Sequence, residues 1–279
     1  VRVHTFTGQV WQTKKGLLKV LLKMLDRTIY LFSSKVLVDS DSQRDFLIQN
    51  NIVKNERSLV LGSGSLSGVD INRFIPDFKA RKIIREKLQV SMDDVVFLFV
   101  GRLAFEKGIL ELLQAYSKMS KDNVKSSLWL VGPNETEIRN LKAYSNLDSS
   151  DSIHIIPYSK SPELYMAAAD VFCLPSHREG FGTVVIESAS CGIPSIGTKI
   201  HGLKDSIVDG KTGLLVDVGD ISGLSEAMSL LVSDKSLRLV MGKSSRERAH
   251  ENFDQRLVVR RLVEFLDAEL RSFESQSQK

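Results

Sequence analysis

The chain has 279 residues, of which 42% are hydrophobic and 26% charged, the balance of an ordinary globular protein. Its net charge of +4 is concentrated in residues 1–30, which contain six basic residues and one acidic residue. No stretch alternates basic with aromatic residues, as a single-strand nucleic-acid site would require. No apolar run approaches the ~20 residues of a membrane-spanning helix. The two cysteines each lie in an apolar run and form no CxxC pair, which indicates buried thiols and fits a reducing, cytoplasmic compartment.

Residues 1–75 show an incomplete pattern of strands and helices. Because Val1 already lies in a predicted strand, we expect the chain to lack its natural N-terminus. Pro76 and its polar neighbours predict a hinge after this first unit. The predicted elements are a strand at 1–4, a basic amphipathic helix at 14–31, a strand at 36–38, a helix near 42–50 and a strand at 58–61.

Residues 76–253 repeat strand, loop and helix, which predicts a doubly wound parallel α/β sheet. Such sheets bind ligands beyond the carboxyl ends of their strands. Residues 254–279 predict a last helix, near 254–272, and a polar tail. The predicted buried strands are 95–100, 128–131, 153–156, 171–174, 194–196 and 214–216, with helices at 108–118, 135–146 and 183–191 among them.

The segment from Gly101 to Gly108 joins the strand at 95–100 to the next helix. Free backbone N–H groups and the positive helix end make this a place for phosphate. Arg102 and Lys107 are spaced to flank a diphosphate, since arginine offers a fork of donors and lysine a point charge. The alternative is an exposed basic loop in which Glu106 forms an ion pair.

A second cluster follows the strand at 171–174 and opens the next helix. Gly180 and Gly182 allow a ligand to approach the backbone closely. Glu179 and Glu187 suit sugar hydroxyls, because one carboxylate accepts two hydrogen bonds and so selects a diol. The two carboxylates are also compatible with the acid and base of a glycosidase.

The motif Gly-Arg-Leu-x-x-Glu-Lys-Gly at 101–108, followed by Glu-Gly-Phe-Gly-x-x-x-x-Glu at 179–187, resembles the donor site of family 4 retaining glycosyltransferases. Segments 189–194 and 209–216 extend the resemblance, which implies a GT-B fold: two Rossmann-like domains, here a complete C-terminal donor domain and an incomplete N-terminal domain. The segments at 4–11 and 62–70 are similar to bacterial members that build surface polysaccharides or lipid-linked oligosaccharides.

The resemblance implies roles for the phosphate and ribose contacts. Gly101 belongs to the phosphate loop, and Arg102 and Lys107 would bind the diphosphate and stabilise the charge that develops as the sugar leaves. Glu187 would bind the ribose diol. The co-substrate would be a nucleotide-sugar, with UDP as the expected nucleotide.

The resemblance also implies contacts to the sugar. Glu179 would hold a hydroxyl of the donor sugar. Backbone N–H groups of Phe181, Gly182 and Thr183 would face sugar and phosphate. His4, at the end of the first strand, would face the cleft and contact the donor sugar or the reacting centre, although a packed or surface histidine is the alternative.

The family acts without a metal or other cofactor, and no DxD motif follows a strand of the donor unit. Asp39 to Asp41 has that spacing, but we interpret it as a turn and helix cap in the first unit. Retention in this family is explained by departure and attack on one face of the sugar, with a donor phosphate oxygen accepting the acceptor's proton.

The expected acceptor is a glycan or a polyprenyl-diphosphate-linked molecule. Lys15, Lys19, Lys23 and Arg27 form a basic stripe on the helix at 14–31, beside several leucines. This stripe is either a solvated helix face or a peripheral contact with the anionic inner face of the plasma membrane.

Two other functions remain open at this stage. A phosphorylase of the same fold would need a lysine site for pyridoxal phosphate, and no segment matches one. A non-catalytic nucleotide-sugar-binding module would share every donor contact named above, so the motifs alone do not separate it from a transferase.

Overall fold

A computed structural model describes residues 1–120, 125–136 and 152–277. The first unit is a three-stranded parallel sheet in the order β1-β2-β3. Its strands are β1 (Val3–Phe6), β2 (Lys35–Val38) and β3 (Ser58–Leu59); its helices are α1 (Gly16–Phe32) and α2 (Asp41–Gln49), with short 3-10 turns at Val10–Thr13 and Asn55–Arg57.

Helix α1 contacts the rest of the first unit through polar bonds to the 3-10 turn and to the end of α2. The indole N–H of Trp11 donates to Asp26 at 2.7 Å, and Lys23 donates to Asn50 at 2.8 Å. Tyr30 is the buried apolar residue of this helix. Leu22 is partly buried and packs with Tyr30 on the first unit's core. The other large apolar side chains of α1 are exposed: Leu17, Leu18, Val20, Leu21, Met24, Leu25, Ile29, Leu31 and Phe32.

The second unit is a six-stranded parallel sheet in the order β6-β5-β4-β7-β8-β9. Its strands are β4 (Val95–Val100), β5 (Ser126–Val131), β6 (Ile153–Ile156), β7 (Val171–Leu174), β8 (Ser195–Thr198) and β9 (Gly213–Val216). Its helices are α3 (Phe78–Lys87), α4 (Ile109–Ser120), α5 (Pro162–Ala168), α6 (Thr183–Ser190), α7 (Leu203–Ser206), α8 (Ile221–Ser233), α9 (Lys235–Phe253) and α10 (Gln255–Ser277).

The central strands of this sheet are buried on both faces, as their continuous apolar runs predict. Phe97 and Trp129 are fully buried. Both cysteines belong to this core: Cys173 lies in β7, and Cys191 follows α6. Burial raises the pKa of both thiols, that of Cys191 to about 12.

The chain crosses between the two units twice, and the crossings pair with each other. The N–H of Val69 donates to Phe253 at 2.7 Å, and the N–H of Gln255 donates back to Val69 at 2.9 Å. Asp77 then caps α3 by accepting from two backbone N–H groups. The segment containing Pro76 therefore lies between the backbone pairing at Val69 and the capped start of α3. Its role as a hinge stays a prediction.

The predicted α/β class with parallel sheets is confirmed. The strand expected at 58–61 ends at Leu59, and the last helix runs further than predicted, to Ser277. The helix expected at 135–146 falls almost wholly outside the described residues. Ser40 accepts from Gln43 at 3.2 Å and so caps α2, as the turn at 39–41 predicts.

Candidate functional site

Two loops meet where neighbouring strands β4 and β7 end. The N–H of His177 donates to the carbonyl of Glu106 at 2.9 Å and joins the loops directly. Gly108 has φ +73°, and a Cβ there would lie 2.0 Å from the carbonyl oxygen of Pro175. The two sequence clusters at 101–108 and 175–187 thus form one site at the carboxyl edge of the sheet.

Lys107 and Glu179 face each other across this junction. The Lys107 ammonium lies 2.6 Å from a carboxylate oxygen of Glu179, which also accepts from the Ser176 hydroxyl at 2.8 Å. Their side chains are 21% and 13% exposed, so the pair is largely shielded from water. A charge pair in this setting is stronger than one on the surface.

Arg102 lies at the outer side of the same loop, 48% exposed. Its guanidinium donates to Glu106 and Glu135, each at 2.8 Å. A hydrogen bond from its own backbone N–H and one from Arg102 lower the pKa of Glu106. This is the ion pair expected for a basic loop without ligand, and a diphosphate would have to compete with these carboxylates for Arg102.

The loop after β7 leads directly into α6. Gly182 has φ +78°, and α6 begins at Thr183. Phe181 is 2% exposed and packs against Phe253 with ring centres 5.2 Å apart, so only its backbone can face a ligand. Glu187 lies in the second turn of α6, and burial raises its pKa to about 6.

The structure groups His4 with the first unit's own core. Its ring lies 4.6 Å from that of Phe6, the next residue on the same strand face. Burial raises the pKa of Asp26 in α1, and a hydrogen bond from Trp11 and the charge of His4 oppose that rise. Among the described residues, no hydrogen bond or ion pair joins His4 to Lys107 or Glu179, and its predicted sugar contact stays a prediction.

The part of the first unit that reaches the site is the turn at Gly8. A Cβ on Gly8 would lie 2.9 Å from the backbone nitrogen of Gly180. The carbonyl of Thr7 accepts from the side-chain amides of Gln9 and Gln43, at 2.6 and 2.8 Å, which holds this turn in place. A glycine shortly after a strand was the available sequence signal for a close backbone contact at Gly8. The sequence does not say which part of the chain would make that contact.

A second contact between the units lies at the start of α2. The Ser42 hydroxyl bonds to Asp205 and accepts from the N–H of Gly202 at 2.9 Å. The rings of Phe46 and His201 stack with centres 4.4 Å apart. No sequence pattern pointed to this contact, because its partners are about 160 residues apart.

Within residues 1–120, 125–136 and 152–277, no group of three or more His, Cys, Asp or Glu side chains is arranged to hold a metal ion. Across the same residues, no helix combines the length and apolarity needed to span a bilayer.

Residues 80–248 match the model of the family described as glycosyl transferases group 1. The capsular polysaccharide biosynthesis glycosyltransferase CapM of Staphylococcus aureus is 29% identical over 259 residues, which is 92% of this chain and 68% of CapM. The D-inositol 3-phosphate glycosyltransferase of Corynebacterium jeikeium is 34% identical over 187 residues. That alignment covers 63% of this chain and 44% of the second relative's length.

Solved structures show the same fold. Sucrose-phosphate synthase from Thermosynechococcus elongatus superposes with a TM-score of 0.84 and 23% identity, over 97% of this chain and 68% of that one. Anabaena HepE in complex with UDP-glucose gives a TM-score of 0.83 and 20% identity, over 95% and 72%. The predicted GT-B fold is thereby confirmed, and because the family model covers more than half of its residues, the chain belongs to the glycosyl transferases group 1 family.

Proposed function

We propose that this chain carries the donor site of a retaining glycosyltransferase. The enzyme would move a sugar from a nucleotide-sugar, a UDP-sugar, to a glycan or lipid-linked acceptor in cell-surface polysaccharide biosynthesis. CapM supports the capsular context, and the UDP-glucose complex of HepE supports the donor. Because the chain spans only part of its relatives' length, the activity of the whole protein belongs to the proposal.

The observation that carries the proposal is the Lys107–Glu179 pair at the strand ends. In the proposed complex Lys107 turns its charge to the donor diphosphate, and Glu179 accepts from a hydroxyl of the transferred sugar. Arg102 adds a second cation, and backbone N–H groups at Phe181, Gly182 and Thr183 face the sugar and phosphate. With two fixed cations beside the leaving group, the reaction needs no metal.

The transfer proposed here exchanges one C–O bond for another. The bond from the sugar's anomeric carbon to the diphosphate breaks, and its electron pair stays on the phosphate oxygen. The acceptor oxygen bonds to the same face of that carbon, and its proton passes to the departing phosphate. Lys107 and Arg102 would stabilise the negative charge on the leaving group, which is a contact that strengthens in the transition state.

Calorimetric titration of UDP into this chain in EDTA buffer tests the donor site. Lys107→Ala should weaken UDP binding about tenfold to hundredfold, because a charge-assisted contact is lost and Glu179 is left uncompensated. Lys211→Ala, at an exposed turn of the same unit, is the matched control and should bind like the wild type. Failure of the wild type to bind UDP, GDP or ADP would contradict the proposal.

Sugar transfer must be separated from binding alone. A non-catalytic nucleotide-sugar module would bind UDP in the same way but would release no UDP from UDP-glucose or UDP-N-acetylglucosamine. Release of UDP together with a glycosylated product favours the transferase, and binding without turnover favours the module.

A peripheral membrane contact through α1 is the second part of the proposal. The exposed leucines of this helix lie beside Lys14, Lys15 and Lys19, which suits the boundary between anionic headgroups and acyl chains. Lys23 and Arg27 would contribute less to this membrane contact than their spacing suggested, because Lys23 bonds to Asn50 and Arg27 to the carbonyl of Asn51. The protein would thus lie on the cytoplasmic face.

Co-sedimentation with vesicles tests this contact. The wild type should bind vesicles with 30% anionic lipid (about 1 kcal/mol per basic residue near the surface) and should be released by salt. The double change Leu17→Glu and Leu21→Glu should abolish binding, whereas Leu239→Glu on exposed α9 should not. Equal binding to neutral vesicles, or no effect of the double change, would contradict the contact.

A further inference from the structure

Arg178 stands between two residues whose side chains are already engaged. On one side, His177 Nε2 lies 2.7 Å from Glu111; on the other, Glu179 bonds to Lys107 at 2.6 Å. The Nε atom of Arg178 is buried, yet it has no hydrogen-bond partner among the described residues. Within the same residues, no carboxylate lies within 4 Å of its guanidinium.

The position of Arg178 places its charge at the junction of the two site loops. The backbone of its neighbour His177 is tied to the carbonyl of Glu106, at 2.9 Å. The positive charge of Arg178 contributes to lowering the pKa of Glu106, although less than that residue's own hydrogen bonds do. The guanidinium of Arg178 therefore lies near the loop that carries Arg102 and Lys107, but it forms no ion pair with a described carboxylate of that loop.

The charge balance of the site favours an anion at this point. Arg102 is matched by Glu106 and Glu135, and Lys107 by Glu179, so the two expected phosphate cations are both paired before ligand arrives. A diphosphate brings further negative charge, which an unmatched cation would balance in addition to Arg102 and Lys107. A buried donor without a partner is also unfavourable until a ligand or water satisfies it.

We propose that Arg178 is a third phosphate-binding residue of the donor site, donating to a phosphate oxygen of the nucleoside diphosphate. The planar guanidinium offers donors in a fixed fork that matches phosphate oxygens, which lysine does not. This inference rests on the proposed donor site and adds a residue that its motif did not supply.

The test measures the affinity of two probes for each variant, UDP by calorimetry and uridine by NMR titration. Arg178→Ala should weaken UDP binding about tenfold to hundredfold and leave uridine binding unchanged, because only the phosphate contact is lost. Arg178→Lys keeps the charge without the fork and should fall between wild type and Arg178→Ala. Arg271→Ala, at an exposed position of α10, is the matched control and should change neither affinity.

Each outcome decides the inference. UDP affinities of both Arg178 variants within twofold of the wild type would overturn it while leaving the donor site intact. An equal loss for UDP and uridine would also overturn it, since Arg178 would then support the loop rather than bind phosphate. If the wild type binds no UDP, the proposed function fails and this inference fails with it; a UDP-specific loss supports both.

Discussion

The two sheets of this chain differ in how far the chain itself covers them. In the second unit every residue of β5 and all but the last of β4 are buried, and helices lie on both faces. In the first unit α1 exposes most of its large apolar side chains and contacts the rest of the unit through Tyr30, Leu22 and two polar contacts. The donor unit therefore has a self-sufficient core, whereas the first unit offers an apolar surface for something else to cover.

The largest effect should come from the core of the donor unit. Phe97→Ala should lower the free energy of unfolding by about 3–5 kcal/mol, because a fully buried ring is replaced by a cavity. The contrasting change in the first unit, Leu21→Ala on α1, should cost less than about 0.5 kcal/mol, since Leu21 is 52% exposed. Urea denaturation followed by circular dichroism measures both. A comparable loss for Leu21→Ala would mean that α1 is covered in solution.

A smaller effect should follow where the two site loops touch. Gly108→Ala should weaken UDP binding at least tenfold, since its Cβ would clash with Pro175 and a left-handed backbone disfavours alanine by about 1–2 kcal/mol. Gly210→Ala is a matched control, because Gly210 has nearly the same φ, +74°, with no atom within 4 Å of a new Cβ. If the two changes reduce UDP affinity equally, strain and not loop contact is responsible.

A third effect should be the pH response of Glu187. Burial raises its pKa to about 6, Arg73 opposes the rise and Glu163 adds to it. The folded protein therefore keeps a proton that the unfolded chain has lost between pH 4.5 and 6, and stability should fall as pH rises through that window, by about 2 kcal/mol. Glu187→Gln should remove this dependence in urea titrations at pH 4.5 and 7.

The same proton should compete with the nucleotide. If ionised Glu187 accepts from the ribose hydroxyls, affinity should fall about tenfold one pH unit below its pKa. UDP-glucose is the ligand to use, because its diphosphate lacks the terminal phosphate group that titrates near pH 6. A flat affinity for wild type between pH 7.5 and 5, or an equal slope in Glu187→Gln, would contradict the ribose role.

Buried strands were the part of the fold that sequence predicted best. The run Val95–Val100 is apolar throughout, so its bounds follow from composition alone, and β4 has those bounds. Helix α9 was not identified, since its buried face at Met241, Ser245, Ala249 and Phe253 is built partly from small residues. Such residues permit close packing but give little apolar periodicity, so this helix resembles a polar segment until its neighbours are known.

The candidate site shows where sequence reasoning ends. Lys107 and Glu179 were both singled out, but their direct contact spans 72 residues and depends on β4 and β7 being neighbours. Strand order is not encoded in any local pattern. For the same reason, nothing in the loop at 175–182 indicated that the buried Nε of Arg178 would have no partner among the described residues, whereas His177 pairs with Glu111 and Glu179 with Lys107.

The burial of Cys173 and Cys191 makes the rate of thiol labelling a measure of how often the core of the donor unit opens. Both thiols lie in the donor unit, and the first unit contains none. A thiol reagent can reach them only when that core opens, because the closed form holds them protonated and out of solvent. The labelling rate therefore reports opening of the donor unit alone. Slower labelling in the presence of UDP would measure how much the bound nucleotide stabilises the closed form of that unit.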